Sequence, residues 1–179
     1  DLNQYTQNKR FSVQRCEVPV FSMREHAYLP IKARQTELLY VPNFNAPFLY
    51  RGRLITTIHD LTHLKIPQLT LRRPEFVHIL RIIMKDAARR SNRIITVSNY
   101  TSQDIQSILN ISRRKIDVIY PGVNSNFYPI YDNSSIERTK LRYNIHGEYI
   151  LSLGNIKKHK NIHRLIQAFE LIHSKIDHK

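Results

Sequence analysis

Apolar positions in this chain follow two patterns. Five short runs, at 38–41, 54–58, 94–97, 117–120 and 149–153, are nearly continuous in apolar residues instead of alternating. Strands of a parallel sheet look like this when helices cover both faces. Between several of these runs the period changes. Pro74 suits a first helical turn, and Phe76, Val77, Leu80, Ile83, Met84, Ala87 and Ala88 follow at helical spacing. After Ser98, Thr101-Ser102-Gln103-Asp104 reads as a capped helix start, continued by Ile105, Ile108 and Leu109. Ile162, Leu165, Ile166, Phe169 and Ile172 predict a final helix. Strand–helix alternation places the chain in the α/β class, with a Rossmann-like, doubly wound parallel sheet and flanking helices.

The pattern breaks once. Pro121-Gly122 stops the fourth strand, and 123–147 is rich in Asn, Pro, Ser and Tyr, with one helical piece near 136–143. This stretch reads as a connector. The expected organisation is the C-terminal part of one Rossmann-like domain at 1–125, a connector at 126–148, and the first β–α unit of a second domain at 149–179. One strand and one helix cannot make a sheet core, so the second domain is expected to be truncated. The start, Asp1-Leu2-Asn3-Gln4-Tyr5, has neither the basic residues nor the apolar core of a signal peptide. It also lacks an initiator methionine, as a trimmed or partial chain would.

Composition narrows the setting. With 41% hydrophobic residues in 179, a packed core is possible. No apolar run approaches the roughly 20 residues of a membrane span. The single cysteine, Cys16, cannot form an internal disulfide, and a cytoplasmic protein is the simplest expectation. The net charge of +14 would attract phosphates, anionic headgroups or nucleic acid. The basic residues are scattered, at Arg72-Arg73, Arg89-Arg90, Arg113-Arg114-Lys115, Lys157-Lys158 and Lys160. No aromatic-interleaved, zinc-finger or helix-turn-helix pattern accompanies them, so no nucleic-acid partner is expected. Arg89-Arg90 fits a helix C-terminus, where cations complement the dipole.

Three places carry candidate chemistry. The first is the fifth run, which ends in Gly154 and passes through Asn155-Ile156-Lys157-Lys158-His159-Lys160-Asn161 into the last helix. Free amides at a helix start, with lysines beside them, suit a phosphate; an ordinary solvated turn would have the same residues. The second is His59-Asp60-Leu61-Thr62-His63. The histidines are four apart, but the segment follows a strand and Pro67 lies close behind, so no long helix presents both to a metal. No metal site is expected. In open parallel sheets ligands bind outside the carboxyl ends of strands, where His59 and Asp60 fall. His59 could donate a hydrogen bond or move a proton there; equally, it could cap the strand while Asp60 caps the turn. The third is Ser98, at another strand end, which could bind a sugar or phosphate but whose spacing favours helix capping. Tyr40 and Asn43 close the first strand and are candidates to line the same crevice. Neither a nucleophile elbow, a Walker loop nor a Gly-x-Gly-x-x-Gly is present.

Several of these segments, in order, give the chain a resemblance. They are Phe21-Ser22-Met23-Arg24-Glu25-His26, Leu39-Tyr40-Val41-Pro42-Asn43-Phe44-Asn45 and Thr57-Ile58-His59-Asp60-Leu61-Thr62-His63-Leu64. Ala88 to Ser98, Ile119-Tyr120-Pro121-Gly122-Val123 and Gly154 to Asn161 continue the series. Together they resemble the retaining, nucleotide-sugar-dependent glycosyltransferases of family four, with the two-domain GT-B fold, and in particular a bacterial mannosyltransferase-like group.

The resemblance implies transfer of a sugar, mannose by analogy, from a nucleoside diphosphate sugar to an acceptor hydroxyl with retention of configuration. It implies no cofactor, with GDP-mannose the first expectation for the donor substrate. It implies a lipid-linked or polysaccharide acceptor, and with it peripheral contact with the inner face of the membrane. In similar enzymes the donor diphosphate lies in the interdomain cleft, against a loop whose lysine matches Lys160. An arginine often follows the glycine of that loop; here Asn155 takes its place, and Lys157 or Lys158 could supply charge. The glycine-rich loop early in the first domain and the glutamate pair of the second are both absent from this chain. Histidines often found where Tyr40 or Pro42 stand are also missing, which leaves His59 as the catalytic candidate. The alternative is a catalytically incomplete fragment, or a module that binds nucleotide or an anionic surface without turnover.

Overall fold

A computed structural model of the chain describes residues 12–19 and 22–176. Asp1–Tyr5 and Phe21, which entered the sequence reading, lie outside the described residues. The chain divides into two compact units.

The first unit takes the chain up to Leu61 together with His78–Tyr120. Helix α1 (Met23–Ala33) begins at Ser22, whose hydroxyl accepts the Glu25 amide at 3.2 Å. Four strands follow, β1 (Leu38–Val41), β2 (Arg53–Ile58), β3 (Arg93–Thr96) and β4 (Ile116–Val118). They form one all-parallel sheet in the order β1-β2-β3-β4, with Leu39 opposite Leu54, Thr56 opposite Ile94 and Ile95 opposite Asp117. The fourth strand is shorter than its apolar run predicts. Ile119 still donates to the Thr96 carbonyl at 2.8 Å, but Ile119 and Tyr120 are exposed and leave the sheet.

Helices α4 (Val77–Arg90) and α5 (Asn99–Leu109) make the crossovers. The predicted face of α4 is the buried one, through Met84, Ala87 and Ala88, and α5 buries Ile105 and Leu109. Ala33, Ala46, Tyr50, Leu54 and Ala87 form a core cluster, with Leu39 and Val41 packed against it. The threonines buried in the sheet are satisfied: Thr56 Oγ1 meets Ser91 Oγ at 2.8 Å and Thr96 Oγ1 donates to the Ile58 carbonyl at 2.8 Å. Those bonds remove the cost of burying hydroxyls. Gly52 is required by close approach, since a Cβ there would strike the Tyr50 hydroxyl. Arg90 anchors the same corner, donating to the carbonyls of Pro47 and Tyr50 and pairing with Asp86 at 2.8 Å.

The second unit takes Thr62–Val77 and the chain from Pro121 onward. It contains the short helices α2 (Thr62–Lys65) and α3 (Pro67–Thr70), then α6 (Asn133–Arg142) and α7 (Ile162–Ile172). Asp132 caps α6 by accepting the amides of Ser134 and Ser135, and the hydroxyls of Ser135 and Ser134, more than those amides, hold its carboxyl below the usual carboxylate range by donating to it. The run 149–153 forms no strand, contrary to its pattern. A strand needs a neighbour for its ladder, and among the described residues this unit offers none. Tyr149, Ile150, Leu151 and Leu153 are accordingly exposed, Leu153 at 96%. The predicted helix after it is present as α7, because a helix satisfies its own backbone. Among the described residues, no helix is long and apolar enough to cross a membrane.

Candidate functional site

In the first unit the candidates gather at the carboxyl edge of the sheet, where β1, β2 and β3 end. His59 follows β2 directly and its ring is exposed. Its Nε2 lies 3.2 Å from the Pro42 carbonyl oxygen, just beyond β1. A carbonyl only accepts, so Nε2 carries the hydrogen and, in the neutral ring, Nδ1 keeps its lone pair. The His59 carbonyl in turn accepts from Thr101 Oγ1 at 3.2 Å, at the start of α5. His59 is therefore fixed from both sides, with one ring nitrogen able to take a proton or a hydrogen bond.

Tyr40 sits on β1 with its hydroxyl 2.9 Å from Thr57 Oγ1 on β2, half exposed. Asn43 is half-buried, its side-chain oxygen accepting the neighbouring Phe44 amide at 2.7 Å. Ser98 is the N-cap of α5: its hydroxyl accepts the Thr101 amide at 3.1 Å and lies 2.9 Å from Thr101 Oγ1. Capping, the role its spacing favours, is what its geometry displays. Asp60 is exposed beside His59. His63 belongs to α2, which begins after His59, so the two imidazoles do not share a helix.

In the second unit the loop after 149–153 ends in a 3-10 turn, Lys158–Lys160, and then α7. Gly154 stands in open space, where a Cβ would meet nothing within 4 Å, so no steric reason for glycine operates here. The Asn155 carbonyl accepts the Lys157 amide at 2.9 Å. Lys160 is exposed, and among the described residues its ammonium has no carboxylate partner. Asn161 takes the left-handed conformation, φ 57°, and precedes α7 without a side-chain cap. Its carbonyl accepts the amides of Arg164 and Leu165, and among the described residues those of Ile162 and His163 have no acceptor. Beside this helix start is a hollow of about 620 Å³ lined by Leu69, Lys158, His159, Asn161, His163 and Arg164. His159 Nδ1 is buried there without a hydrogen-bond partner. Free amides, two flanking cations and two imidazoles form an arrangement that an oxyanion would complete.

Sequence reasoning missed four of these residues. Thr57 reads as part of a strand and Thr101 as part of a capped helix start, yet they also hold Tyr40 and His59. His163 and Arg164 carry no expectation from the sequence, yet they line the hollow, while Lys160 stands beside its lining. The usable signal was position: residues in a first helical turn point their amides, and often their side chains, toward whatever the helix start faces. Among the described residues no three His, Cys, Asp or Glu side chains come together as a metal set.

Residues 17–127 match Glycosyltransferase Family 4. The chain is 28% identical over 137 residues to the O-antigen chain mannosyltransferase RfbU of Salmonella typhimurium, covering 76% of this chain and 34% of the relative. It is 26% identical over 140 residues to the serotype-specific mannosyltransferase WbdA of Escherichia coli, covering 78% of this chain and 17% of the relative. The chain thus spans about a third of one relative and about a sixth of the other. The family match takes in the whole four-stranded sheet, His59 and Ser98, and it stops before the hollow at α7. With more than half its length matched, this chain belongs to Glycosyltransferase Family 4.

Proposed function

We propose that this chain is part of a glycosyltransferase that moves mannose from a nucleoside diphosphate sugar, GDP-mannose by first choice, to a glycan or lipid-linked acceptor with retention. Family membership supports the reaction class, and the names of both relatives, each a mannosyltransferase, support the sugar. The observation that carries the donor half is the hollow at the start of α7. There the unbonded amides of Ile162 and His163 lie beside Lys158 and Arg164. Negative charge grows on the diphosphate as the glycosidic bond breaks. Fixed amides and cations, with Lys160 at the rim, would stabilise that charge without reorganising.

The proposed step breaks the bond between the anomeric carbon and the diphosphate oxygen. The acceptor hydroxyl attacks from the same face and the departing phosphate oxygen takes its proton. His59 would then position substrate through the nitrogen left free by Pro42, with Tyr40, Asn43, Asp60 and Ser98 as neighbours on the acceptor side.

Calorimetric titration of the 179-residue chain with GDP and GDP-mannose tests the donor half. Lys160→Ala and Arg164→Ala should each weaken binding about tenfold, the loss of one charge-assisted contact of about 1.4 kcal/mol. Unchanged affinity in both variants would remove the α7 hollow from donor binding. Binding without release of labelled mannose to any acceptor would leave a nucleotide-binding module in place of a transferase.

A further inference from the structure

We propose that the amino edge of the sheet carries a binding site for a small inorganic oxyanion of the phosphate class, in two hollows that share a wall of Tyr50, Arg51 and Gly52. The site belongs to the first unit and lies at the end of the sheet opposite His59. Gly52 stands just before β2, Arg34 just after α1, and Arg90 ends α4. One hollow, of about 230 Å³, is completed by Leu54 and Arg90. The other, of about 260 Å³, is completed by Pro30, Arg34, Thr36 and Leu49.

Two donors built into this corner want an acceptor. The Arg90 side chain is only 17% exposed. Its Nε donates to Asp86 at 2.8 Å and its Nη1 to the carbonyls of Pro47 and Tyr50. Its Nη2 is buried and, among the described residues, has no hydrogen-bond partner. A buried donor left in this state is costly, and an anion oxygen in the hollow that Arg90 lines would remove the cost. Tyr50 is 5% exposed, and its hydroxyl fills the space that a Cβ at Gly52 would need, which sets it against the shared wall. That hydroxyl meets Thr36 Oγ1 at a long 3.5 Å, while Thr36 gives its own hydrogen to the Ala33 carbonyl at 2.7 Å. The Tyr50 hydrogen is therefore left for a better acceptor.

The charge around these donors is positive. Arg51 lines both hollows and Arg34 one of them; both are exposed and, among the described residues, neither has a carboxylate partner. No carboxylate lines either hollow. Of the acids near in sequence, Asp86 is held by Arg90, and Glu37 is exposed beyond Thr36, outside both linings. Guanidinium forks and a hydroxyl hydrogen together match a tetrahedral oxyanion through charge-assisted bonds. Each hollow is smaller than the roughly 300 Å³ at which sites for organic ligands begin. The aromatic ring in the linings, Tyr50, is buried and leaves no open face for a base to stack on. A small inorganic anion fits this corner better than a nucleotide does.

Titration of the 179-residue chain with inorganic pyrophosphate at constant ionic strength, followed by nitrogen–proton NMR, tests the site. The Gly52 amide and Arg90 Nε signals should move along a saturating curve, and sodium chloride in its place should leave them still. Arg34→Ala with Arg51→Ala should weaken the curve about tenfold, as expected for lost charge-assisted contacts. Both side chains are exposed, so circular dichroism should not change. Tyr50→Phe, which keeps the ring and removes the hydroxyl, should weaken it about threefold. Lys160→Ala with Arg164→Ala should leave the Gly52 curve unchanged, which separates this site from the hollow at α7. GDP should move the Gly52 signal no more tightly than pyrophosphate does. If the arginine pair perturbs the fold, Tyr50→Phe decides. A curve that does not saturate, an undiminished curve in a folded arginine pair or in Tyr50→Phe, or tighter binding of GDP at Gly52 overturns the proposal.

Discussion

The four-stranded unit and the segment from Pro121 onward have similar apolar runs and different outcomes. In the first, Leu54, Ile58 and Ile94 are buried in a ladder whose neighbours supply every strand partner. In the second, 149–153 carries an equally apolar run and stays exposed, and α7 leaves its own apolar face open. Ile150, Leu165, Ile166, Phe169 and Ile172 line a shallow hollow of about 260 Å³ in place of a core. The difference lies in what each element requires. A helix closes its hydrogen bonds internally, whereas a strand is defined by its neighbours. Apolar sequence sets what an element will bury, and the rest of the fold sets whether it can.

The sharpest way to break this comparison is by truncating one apolar residue in each unit. Ile94→Ala, at a fully buried strand position, should cost about 2–5 kcal/mol, because a cavity is left behind. Ile166→Ala, on the open face of α7, should cost less than about 1 kcal/mol. Urea unfolding measures both; equal losses would mean that α7 is packed after all.

A second test concerns the carboxyl edge. His59→Ala should lower the sugar transfer proposed above at least tenfold while circular dichroism stays native, since the ring is exposed and, among the described residues, bonded to the Pro42 carbonyl. A collapse of the dichroism signal would instead assign His59 to holding β1 and β2 together.

Ser98→Ala comes next. Loss of the cap should destabilise by about 1 kcal/mol, and nucleotide affinity should stay unchanged. A fall in transfer larger than the fall in stability would give Ser98 a role with substrate beyond its cap.

The smallest effect is pH-dependent and falls in the second unit. The Ser134 and Ser135 bonds lower the Asp132 pKa in the folded chain. Its stabilising contribution is therefore present above the unfolded carboxylate value near 3.9, and is lost as pH falls through the lower folded value. Helicity of α6 should decline in acid, and Asp132→Asn should remove that decline; an acid titration followed by circular dichroism detects the difference.

The placement of the candidate residues was largely legible from position alone. His59, Ser98 and Tyr40 follow from locating strand ends, and the phosphate reading of 154–161 follows from a loop entering a helix. What the spacing could not give was the partner of each group. Pro42 as the acceptor of His59 Nε2 and Thr57 as the partner of Tyr40 depend on which strands are neighbours and in what register. The lining of the α7 hollow depends in the same way on Leu69, distant in sequence and brought beside the turn by the fold.

The sequence by itself determined the α/β class, the four parallel strands, the buried faces of α4 and α5 and the cap at Ser98. Each of these rests on local period or on a side chain bonding its own neighbourhood. Tertiary structure alone decided that 149–153 would not be a strand and that His59 would keep one nitrogen free. Those outcomes depend on groups far apart along the chain, and apolar period carries no information about which distant group will arrive.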